Sequence, residues 1–418
     1  MPNILKRYLK GDYVIWMVYF ALCVVSMVEM FSASSRLIGN GVITGPILRH
    51  VLILGAGCVL VVLVQLVNYR YVRMFGYVGL LVSWVLLVFT LLYGTREGGA
   101  ARWLDVGGFH FQPSEVARLS LIIVVADWIE RAQANPEYVK RHFWKIGVAI
   151  LVTCGLLITE GFSTFTLLFL VVCTMLFIGK IPSKNLFSFV GIIVLFISVM
   201  LLVSFNLYKA GKYDADYMPA SKFEQFYRKA FKRSETWVAR INNFGKQSSG
   251  TSKYVRTDSN IQEWNAHVAI ARGMPGRGPG NSIQRNYLPN ADNDFIYAII
   301  IEETGLAGGI FVIALYLILL FRAGIIAAKC RTAYPMMVVV GVSLMIVFQA
   351  FMHICINVGL GPVTGQSLPL ISRGGTSIFV TSIYFGIMLG ISHYLTANND
   401  ATPEAVAAAE SETQSQQD

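Results

Sequence analysis

Residues 285–309 read RNYLPNADNDFIYAIIIEETGLAGG and join a long polar region to a long apolar one. Two aspartates, Asp292 and Asp294, stand at this junction, and Glu302 and Glu303 follow inside the apolar run. Acidic groups are costly where water gives way to hydrocarbon, so all four are candidates for function. The alternative for Asp294 is a helix N-cap, because its carboxylate could accept hydrogen bonds from the free N–H groups of the first turn.

The composition of the chain is that of a membrane protein. Of its 418 residues, 55% are hydrophobic and only 14% are charged, whereas a soluble domain is typically about 25% charged. The first apolar run, from Tyr13 to Phe31, is longer than the core of a cleavable signal peptide, and no clear small-residue cleavage site follows it. We therefore expect this run to be retained as the first membrane span.

Apolar runs of about 20 residues are long enough to cross a bilayer, and the sequence contains ten candidates. They are residues 13–33, 47–67, 75–94, 113–132, 145–160, 165–180, 186–207, 305–328, 335–357 and 375–396. The fifth and sixth belong to one stretch that Glu160 and Gly161 divide, which predicts a tight hairpin. The sequence thus predicts an all-α polytopic membrane protein with ten transmembrane helices in one domain, residues 1–396. The acidic remainder, 397–418, is predicted to be a disordered cytoplasmic tail.

Lysine and arginine are distributed unevenly between the two sets of short loops. One set, together with the N-terminal tail, contains Lys6, Arg7, Lys10, Arg70, Arg73, Arg131, Lys140, Arg141, Lys145, Lys180, Lys184, Arg322, Lys329 and Arg331. The opposite set contains only Arg36, Arg49, Arg96, Arg102 and Arg373. Because basic short loops stay in the cytoplasm, both termini are predicted to be cytoplasmic.

One long loop, residues 208–293, is predicted on the outer face and contains fourteen basic and seven acidic residues. Long loops escape the charge rule, so the predicted topology is unchanged. The excess positive charge suggests an anionic partner, either lipid headgroups or a phosphorylated substrate, and a merely solvated loop is the alternative. Apolar spacing predicts an amphipathic helix over Phe223–Phe244 and another helix over Ile261–Arg272, with a flexible segment between them.

A glycine-rich turn, GMPGRGPG at 273–280, follows the second of these helices. Three arginines, Arg272, Arg277 and Arg285, lie in and around it. Backbone N–H groups in such turns can hold phosphate, and arginine can bind phosphate through two hydrogen bonds. The turn therefore predicts a phosphate cradle, although it is not a Walker A motif because no Gly-Lys-Ser/Thr follows.

The second outer loop, RWLDVGGFHFQPSEVAR at 102–118, leads into a predicted span. Pro113 suits the first position of a helix, and Glu115 and Arg118 are three residues apart and share a face. One interpretation is an ordinary helix start with an intrahelical ion pair. Because both charges enter the membrane, where paired charges tend to mark a function, a functional site is the other interpretation.

The last outer loop, residues 357–377, contains five glycines and two prolines. Its backbone is therefore predicted to be irregular between two spans. Irregular backbone is tolerated at membrane depth only where it is buried in protein or lines a cavity. We expect this loop to meet that condition.

These loops together resemble the SEDS family (shape, elongation, division and sporulation), the FtsW/RodA group of peptidoglycan polymerases. The matching segments are ARW at 101–103, FQPSE at 111–115, AR at 117–118, GPGNS at 278–282, LP at 288–289, NDFI at 293–296, EE at 302–303, PVTG at 362–365, LP at 368–369 and GGTS at 374–377. They occur in the family's order. The segment QSLP at 366–369 is nearer the division-type pattern than the elongation-type pattern.

The resemblance implies ten transmembrane helices and a bacterial inner-membrane glycosyltransferase that uses lipid II, a lipid-linked disaccharide pentapeptide. Asp294 matches the aspartate that the family needs for polymerisation, and Arg118 stands where the family usually has lysine. The expected substrate-binding residues are Arg102, Trp103, Glu115, Arg118, Arg272, Arg277, Asn281, Ser282, Arg285, Arg373 and Ser377. The implied partners are a class B penicillin-binding protein, which crosslinks the product, and other division proteins, and no nucleic acid is expected.

Three positions depart from the family pattern. Asn293 precedes the aspartate where the family has threonine, and Arg373 replaces a tyrosine. The family's Pro-Asp-Xaa-Gly-Thr is Glu160-Gly-Phe-Ser-Thr164 here, so its aspartate is missing and Glu160 is the candidate replacement. We assign no metal ligands, because Asp292 and Asp294 alone are too few donors to define a site. A divalent cation, Mg²⁺ or Mn²⁺, is a candidate cofactor.

The sequence supports three functions. A polymerase would use Asp294 as general base on the 4-hydroxyl of the acceptor GlcNAc, and the reaction would invert the donor and release undecaprenyl pyrophosphate. This polymerase would serve septal wall synthesis in cell division, with an elongation-type polymerase as the alternative. A lipid II flippase would instead use the intramembrane charges at Glu115, Arg118, Glu302 and Glu303. A scaffold for division proteins is the third function.

Overall fold

The computed structural model describes residues 9–34, 44–97, 100–106, 109–209, 261–288 and 291–400. Within these residues the chain forms a helical bundle with one small β-sheet. The helices are α1 (Tyr13–Ser34), α2 (Thr44–Gln65), α3 (Tyr69–Tyr93), α4 (Pro113–Ala134), α5 (Pro136–Glu160), α6 (Phe162–Ile178), α7 (Ser183–Lys209), α8 (Ile261–Arg272), α9 (Ile296–Ala328), α10 (Ala333–Asn357) and α11 (Gly375–Asp400). The strands are β1 (Thr95–Glu97), β2 (Ala100–Val106) and β3 (Phe109–Phe111), and a 3₁₀ turn covers Gln284–Asn286.

Most of these helices have Leu, Val, Ile and Phe on every face, which is typical of helices that lie in a membrane or in a protein core. In the described part of the chain, seven are long and apolar enough to cross a membrane, namely α1, α2, α3, α5, α9, α10 and α11. Helix α6 is apolar but has only 17 residues. The all-α membrane fold is thus confirmed, while the count of ten spans stays a prediction.

Helix α4 is less apolar because it lies at the centre of the bundle. Sixteen of its 22 residues are buried, and it packs against α3, α5 and α10. Shielding from lipid allows this helix to contain Glu115, Arg118 and Asp127, charged groups that hydrocarbon does not tolerate unpaired. A helix with these charged groups is therefore compatible with a central position and not with contact with lipid.

The end of α4 farthest from Glu115 is held by Asp127, which is fully buried. The Asp127 carboxylate contacts the guanidinium groups of Arg73 and Arg131, each at 3.0 Å, and accepts a hydrogen bond from the Tyr77 hydroxyl at 2.6 Å. Asp127 is buried while Arg73 and Arg131 are partly exposed, so the arginines supply a buried carboxylate with partners but solvent weakens each pair. These contacts link α3 to α4.

Two glycines interrupt the helices where the chain must turn. Helices α5 and α6 are separated only by Gly161, which confirms the predicted hairpin. Helix α9 is kinked at Gly305, whose φ of 78° lies in the left-handed region that favours glycine. An ideal Cβ on Gly276 would lie only 2.5 Å from the Gly305 nitrogen, so the glycine-rich turn packs directly on the backbone of this kink.

Several predicted boundaries differ from the structure. Helix α9 begins at Ile296 rather than at residue 305, because Glu302 and Glu303 are bonded inside the protein and do not end the helix. Helix α3 begins at Tyr69 rather than at residue 75, because the Asn68 side chain caps it. Helix α8 has the predicted bounds. The predicted helix at 223–244 lies outside the described residues, as does most of the predicted tail.

Candidate active site

Asp294 lies immediately before the first turn of α9. The N-cap residue of this helix is Phe295, so the N-cap interpretation of Asp294 is wrong. Asn357, the last residue of α10, holds this helix start from outside. Its Oδ1 accepts a hydrogen bond from the Ala298 N–H at 3.1 Å, and its Nδ2 donates to the Asp294 carbonyl oxygen at 3.1 Å. The backbone of Asp294 is therefore fixed by α10.

Asp294 and Arg102 bring opposite charges to one point of the last loop. An ideal Cβ on Gly365 would lie 3.4 Å from Asp294 Oδ2 and 3.6 Å from Arg102 Nη1. Gly365 also has a φ of 69°, so glycine supplies both the backbone conformation and the room. Arg102 Nε donates to the Glu160 carbonyl oxygen at 3.2 Å. Arg102 thus links the α5–α6 hairpin to the surroundings of Asp294.

A small antiparallel sheet presents Arg102 and Trp103. Strand β2 lies between β1 and β3, with Trp103 opposite Thr95, and both side chains are half-buried. The sequence did not predict this sheet, because its outer strands have three residues each and typical strands have about 5–6. Placing the two residues on a strand rather than in a free loop fixes their position beside the hairpin.

The last loop also fastens the two residues before Asp294. The Ser372 hydroxyl donates to the Asn293 carbonyl oxygen at 2.8 Å, and the Arg373 N–H donates to the Asp292 carbonyl oxygen at 3.0 Å. The Ser372 residue itself is buried, while Arg373 is exposed. The loop thus meets the predicted condition for irregular backbone at membrane depth, because Leu368 to Ser372 are packed within the protein.

The predicted ion pair between Glu115 and Arg118 forms inside the bundle. Arg118 is 1% exposed and donates through Nη1 to Gln349 Oε1 at 3.1 Å. Gln349 Nε2 donates to the Ser367 carbonyl oxygen at 3.0 Å, and the hydroxyls of Ser367 and Ser377 are 3.3 Å apart. The structure therefore places Glu115, Arg118 and Ser377 in a buried polar chain that supports the last loop.

The glycine-rich turn does not form the predicted phosphate cradle. Its N–H donors to α9 are those of Arg277, Gly278, Gly280, Ile283 and Gln284. Their acceptors are the backbone carbonyls and carboxylates of Glu302 and Glu303, at 2.7 Å for Gly278 and 3.1 Å for Ile283. Among residues 273–280, the Gly280 N–H donates to the Glu303 carboxylate, whereas Arg277 and Gly278 donate to backbone carbonyls. Ile283 and Gln284, just after the turn, donate to the Glu302 carboxylate. These backbone donors are therefore engaged by the chain itself rather than by a phosphate.

The remaining predicted residues of this turn divide into two groups. Asn281 Nδ2 donates to the Arg277 carbonyl oxygen at 3.2 Å, and the Ser282 hydroxyl donates to Glu302 Oε2 at 2.5 Å, so both side chains hold the turn together. Arg285 is buried among carboxylates. By contrast, the side chains of Arg272, Arg277 and Arg373 are exposed, and within the described residues they form no ion pair.

An apolar cavity of about 560 Å³ lies beside this site. Its walls come from α6, α10 and loop residues 360–364. Thr364 lines the cavity, and the next residue, Gly365, lies against Asp294, so one residue of the last loop separates the cavity wall from the candidate base. Its lining includes Phe162, Leu167, Leu170, Phe348 and Met352. Apolar walls of this kind fit a hydrocarbon chain.

Comparison with known proteins gives the family. Residues 12–397 match the FtsW/RodA/SpoVE family model, whose members are described as cell cycle proteins. The chain belongs to this family. The match covers all eleven helices except the last residues of α11.

Relatives within the FtsW/RodA/SpoVE family are similar along most of the chain. The probable peptidoglycan glycosyltransferase FtsW of Bacillus subtilis (strain 168) is 30% identical over 400 residues, which cover 94% of this chain and 93% of that protein. The probable peptidoglycan glycosyltransferase FtsW of Haemophilus influenzae is 31% identical over 325 residues, covering 75% and 72%. The similarity is therefore not confined to one motif or one end of the chain.

Two solved structures share the family fold. One is a chain from a structure that describes the coordination of polymerization and crosslinking by a peptidoglycan synthase complex. Its TM-score is 0.68 and its sequence is 21% identical, and the match covers 92% of this chain and 98% of that chain. The other is the rod shape determining protein RodA of Thermus thermophilus, with a TM-score of 0.60, 20% identity and coverage of 93% and 98%. At these identities the likeness shows the fold alone.

The donor set around Asp294 tests the candidate divalent cation. Among the residues that the structure describes, no group of three or more His, Cys, Asp or Glu side chains is arranged to hold a metal ion. Asp292, the nearest acid in sequence, has its carboxylate 3.4 Å from Arg285 Nε. Mg²⁺ is usually held by one or two carboxylates together with waters and substrate phosphates, so the candidate divalent cation stays a prediction, and we derive no step through it.

Sequence reasoning missed several residues that shape this family member's site. Asn357 was noted only as the first residue of the last loop, and Ser32 was not noted. Glu29 on α1 gave the same signal as Glu302 and Glu303, an acid inside an apolar run, and could have been found by it. Glu160, the candidate replacement for the family's aspartate, is buried beside Arg102.

Proposed function

We propose that this chain is a peptidoglycan glycosyltransferase that polymerises lipid II into β-1,4-linked glycan strands in septal wall synthesis during cell division. The observation that carries the proposal is Asp294 beside the loop, residues 360–365, whose residues 360–364 form one wall of an apolar cavity. The names of its family relatives, probable peptidoglycan glycosyltransferases FtsW, support the same activity. An elongation-type role is the alternative, and the RodA structure supports it only through the shared fold.

Lipid II would bind with its prenyl chain in the cavity between α6 and α10. The cavity lining is mostly apolar and includes Thr364, the residue before Gly365, and both Asp294 and Arg102 lie close to Gly365. A chain that enters from the bilayer would therefore leave its pyrophosphate and sugars near these two charges. This arrangement matches an amphiphile whose reactive bond is next to its lipid.

Asp294 acts as general base on the 4-hydroxyl of the acceptor GlcNAc. The hydroxyl proton passes to the Asp294 carboxylate while the oxygen forms a bond to the anomeric carbon of the donor MurNAc. The bond from that carbon to the pyrophosphate oxygen breaks, and undecaprenyl pyrophosphate leaves. Attack opposite the α-linked leaving group gives a β linkage, so the reaction inverts the anomeric centre.

Negative charge develops on the departing pyrophosphate, and nearby cations stabilise it. Arg102 lies close to Gly365, as Asp294 does. Arg373 is exposed on the last loop, and Arg272 and Arg277 are exposed on the segment that packs against residues 301–305 of α9. Arginine suits this role because its planar guanidinium can donate two parallel hydrogen bonds to phosphate oxygens. Trp103, on the same strand as Arg102, is placed to contact the sugars or the leaving group.

The chain is a multi-pass protein of the bacterial inner membrane with ten spans in the proposed topology. In this proposed topology, α4, α6 and α7 are the three further spans beside the seven long apolar helices. Ten spans place both termini on one side, and the distribution of lysine and arginine favours the cytoplasmic side. Asp294 then faces outward, where lipid II is polymerised.

A class B penicillin-binding protein is the partner proposed for crosslinking the product, and the fold shared with a chain of a peptidoglycan synthase complex supports this assignment. A lipid II flippase is less well supported. The charges that it would use, Glu115, Arg118, Glu302 and Glu303, are bonded inside the protein and hold loops in place.

Purified protein incubated with lipid II tests the proposal. We expect glycan strands from the wild-type chain and at least a 100-fold loss in an Asp294→Asn variant, which keeps the shape but cannot take the proton. Full activity of this variant would refute the base role. A Glu137→Gln variant is the matched control, because Glu137 is an exposed carboxylate at the start of α5.

A second assay separates polymerase from flippase. In liposomes that contain the wild-type chain and fluorescent lipid II, movement of the fluorescent lipid between the two leaflets measures translocation. In the same liposomes, glycan strands formed from added lipid II measure polymerisation. Translocation without any glycan product would overturn the proposed function in favour of transport.

A further inference from the structure

A buried cluster of charges joins α1, α9 and the segment before Asp294. Its centre is Arg285, which is 5% exposed. Arg285 Nη2 lies 3.2 Å from Glu29 Oε2, Nη1 lies 3.0 Å from Glu303 Oε1, and Nε lies 3.4 Å from Asp292 Oδ1. The Ser32 hydroxyl donates to Glu303 Oε1 at 2.5 Å. The proposed mechanism uses none of these groups.

Such a cluster needs a reason, because buried ion pairs often cost as much in desolvation as they gain in attraction. Arg285 offers five donors in a fixed planar fork, which lysine cannot match. Glu29 lies in the first apolar helix and is 2% exposed, so without Arg285 it would be an unpaired acid inside a membrane segment. Arg285 and Glu29 therefore each need the opposite charge of the other to be stable at a buried position.

The cluster ends two residues before the candidate base. The partly exposed Asp292 carboxylate forms a long ion pair with Arg285, at 3.4 Å and without a hydrogen bond, and its carbonyl accepts from the Arg373 N–H. Asn293 is held by Ser372, and the Asp294 carbonyl is held by Asn357. The last loop and α10 thus fasten one side of residues 292–294, and the Arg285 cluster fastens the other side.

The 3₁₀ turn extends this fastening toward α9. The Arg285 N–H donates to the Ser282 hydroxyl at 3.1 Å, and Ser282 donates to Glu302. Side chain and backbone of Arg285 are therefore both engaged by the protein. The guanidinium has little surface left for a pyrophosphate, whereas Arg272, Arg277 and Arg373 are exposed for that role.

We propose that Arg285, held by Glu29 and Glu303, is a positioning residue that sets the location of Asp294 and does not contact lipid II. The proposal rests on the proposed function for its kinetic consequence. Its structural consequence, a fixed segment 291–296, can be measured without any activity.

Two variants test this role. Glu29→Gln removes a charge on α1 while keeping the side-chain shape, and Arg285→Lys keeps the charge while removing the fork. A displacement of about 1 Å in a catalytic group costs on the order of 10²-fold in rate. We therefore expect both variants to lose about 10- to 100-fold in kcat for glycan synthesis, with KM for lipid II within about twofold of wild type, since substrate-binding residues are untouched.

If the exposed arginines bind the pyrophosphate, an Arg277→Gln variant should show the opposite pattern: a raised KM for lipid II with kcat near the wild-type value. Because Glu29 and Arg285 act through one cluster, the double variant is expected to lose no more than about twofold beyond the worse single variant. Unchanged kcat in Glu29→Gln, or a raised KM with unchanged kcat in Arg285→Lys, would overturn the proposal.

Hydrogen–deuterium exchange separates this proposal from the proposed function. Peptides that cover residues 291–296 should exchange at least tenfold faster in both variants, while peptides from α4 keep the wild-type rate. Wild-type exchange in this segment would overturn the positioning role whether or not the protein polymerises lipid II. Glu29→Gln is isosteric, so it supplies the answer if Arg285→Lys is poorly folded.

Discussion

Replacing Asn357 with alanine should damage both the stability of the protein and the placement of Asp294. The Asn357 side chain is fully buried. It accepts from the Ala298 N–H at 3.1 Å and donates to the carbonyl oxygens of Asp294 at 3.1 Å and His353 at 2.9 Å. Alanine would leave the Asp294 carbonyl without its partner. The Ala298 N–H would lose one of two acceptors and keep the Phe295 carbonyl at 3.1 Å.

The magnitude follows from these contacts. A buried group left without its hydrogen-bond partner costs about 1–3 kcal/mol, and one such group, the Asp294 carbonyl, is created by the substitution. The His353 carbonyl belongs to α10 and also lies within the helix ladder, so we assign it no further cost. Release of the Asp294 backbone should lower kcat by about 10- to 100-fold.

Two measurements check this prediction. Thermal unfolding of the purified protein in detergent reports stability, and glycan synthesis from lipid II reports kcat. Asn206→Ala is the matched control, because Asn206 on α7 also donates to a backbone carbonyl, that of Leu202 at 2.9 Å, but is exposed. If Asn357→Ala unfolds at the control's temperature and polymerises at the control's rate, the role assigned to Asn357 is refuted.

Three further substitutions test the geometry around the site. Gly365→Ala should destabilise the protein by about 1–2 kcal/mol, because alanine would have to adopt a φ of 69°. Relaxation of this strain would displace the loop beside Asp294 and should lower glycan synthesis at least tenfold; wild-type stability and activity would contradict this. Gly276→Ala should abolish stable expression, because its Cβ would lie 2.5 Å from the Gly305 nitrogen, and a normal yield of folded protein would contradict the close packing. Arg118→Met should destabilise the protein by about 3–5 kcal/mol, because it leaves Glu115 unpaired. Arg118→Lys introduces the residue that is usual in the family and should cost less than half as much. Equal unfolding temperatures for the two variants would argue against the buried pair.

Features that depend on neighbouring residues were predictable from the sequence. The bounds of α8 and the break at Gly161 follow from local apolar spacing and from a single glycine. The ion pair between Glu115 and Arg118 follows from a separation of three residues on a helix. In each of these examples the partners are close in sequence, so a short window contains all the information that decides the structure.

Features that depend on distant partners were not predictable. Asn357 holds the start of α9 from 59 residues away, and no local pattern distinguishes it from a helix-end asparagine. The glycine-rich turn has the composition of an anion-binding loop. The anions bound by Gly280 and by Ile283, just after the turn, are Glu303 and Glu302 on the following helix, which the sequence presents as a separate signal. Only the fold shows that the glycine-rich turn packs against the helix that contains the two glutamates.

The length of α6 has a consequence for the surrounding lipid. Its 17 residues give a rod of about 26 Å, whereas the hydrocarbon core of a bilayer is about 30 Å thick. In the proposed topology the bilayer must thin beside this helix, because hydrophobic mismatch is relieved by local deformation of the softer partner. Helix α6 forms one wall of the cavity, so the headgroup plane would dip at the place where a prenyl-linked substrate enters. Polymerisation should therefore be faster in bilayers of shorter-chain lipids than in thicker ones.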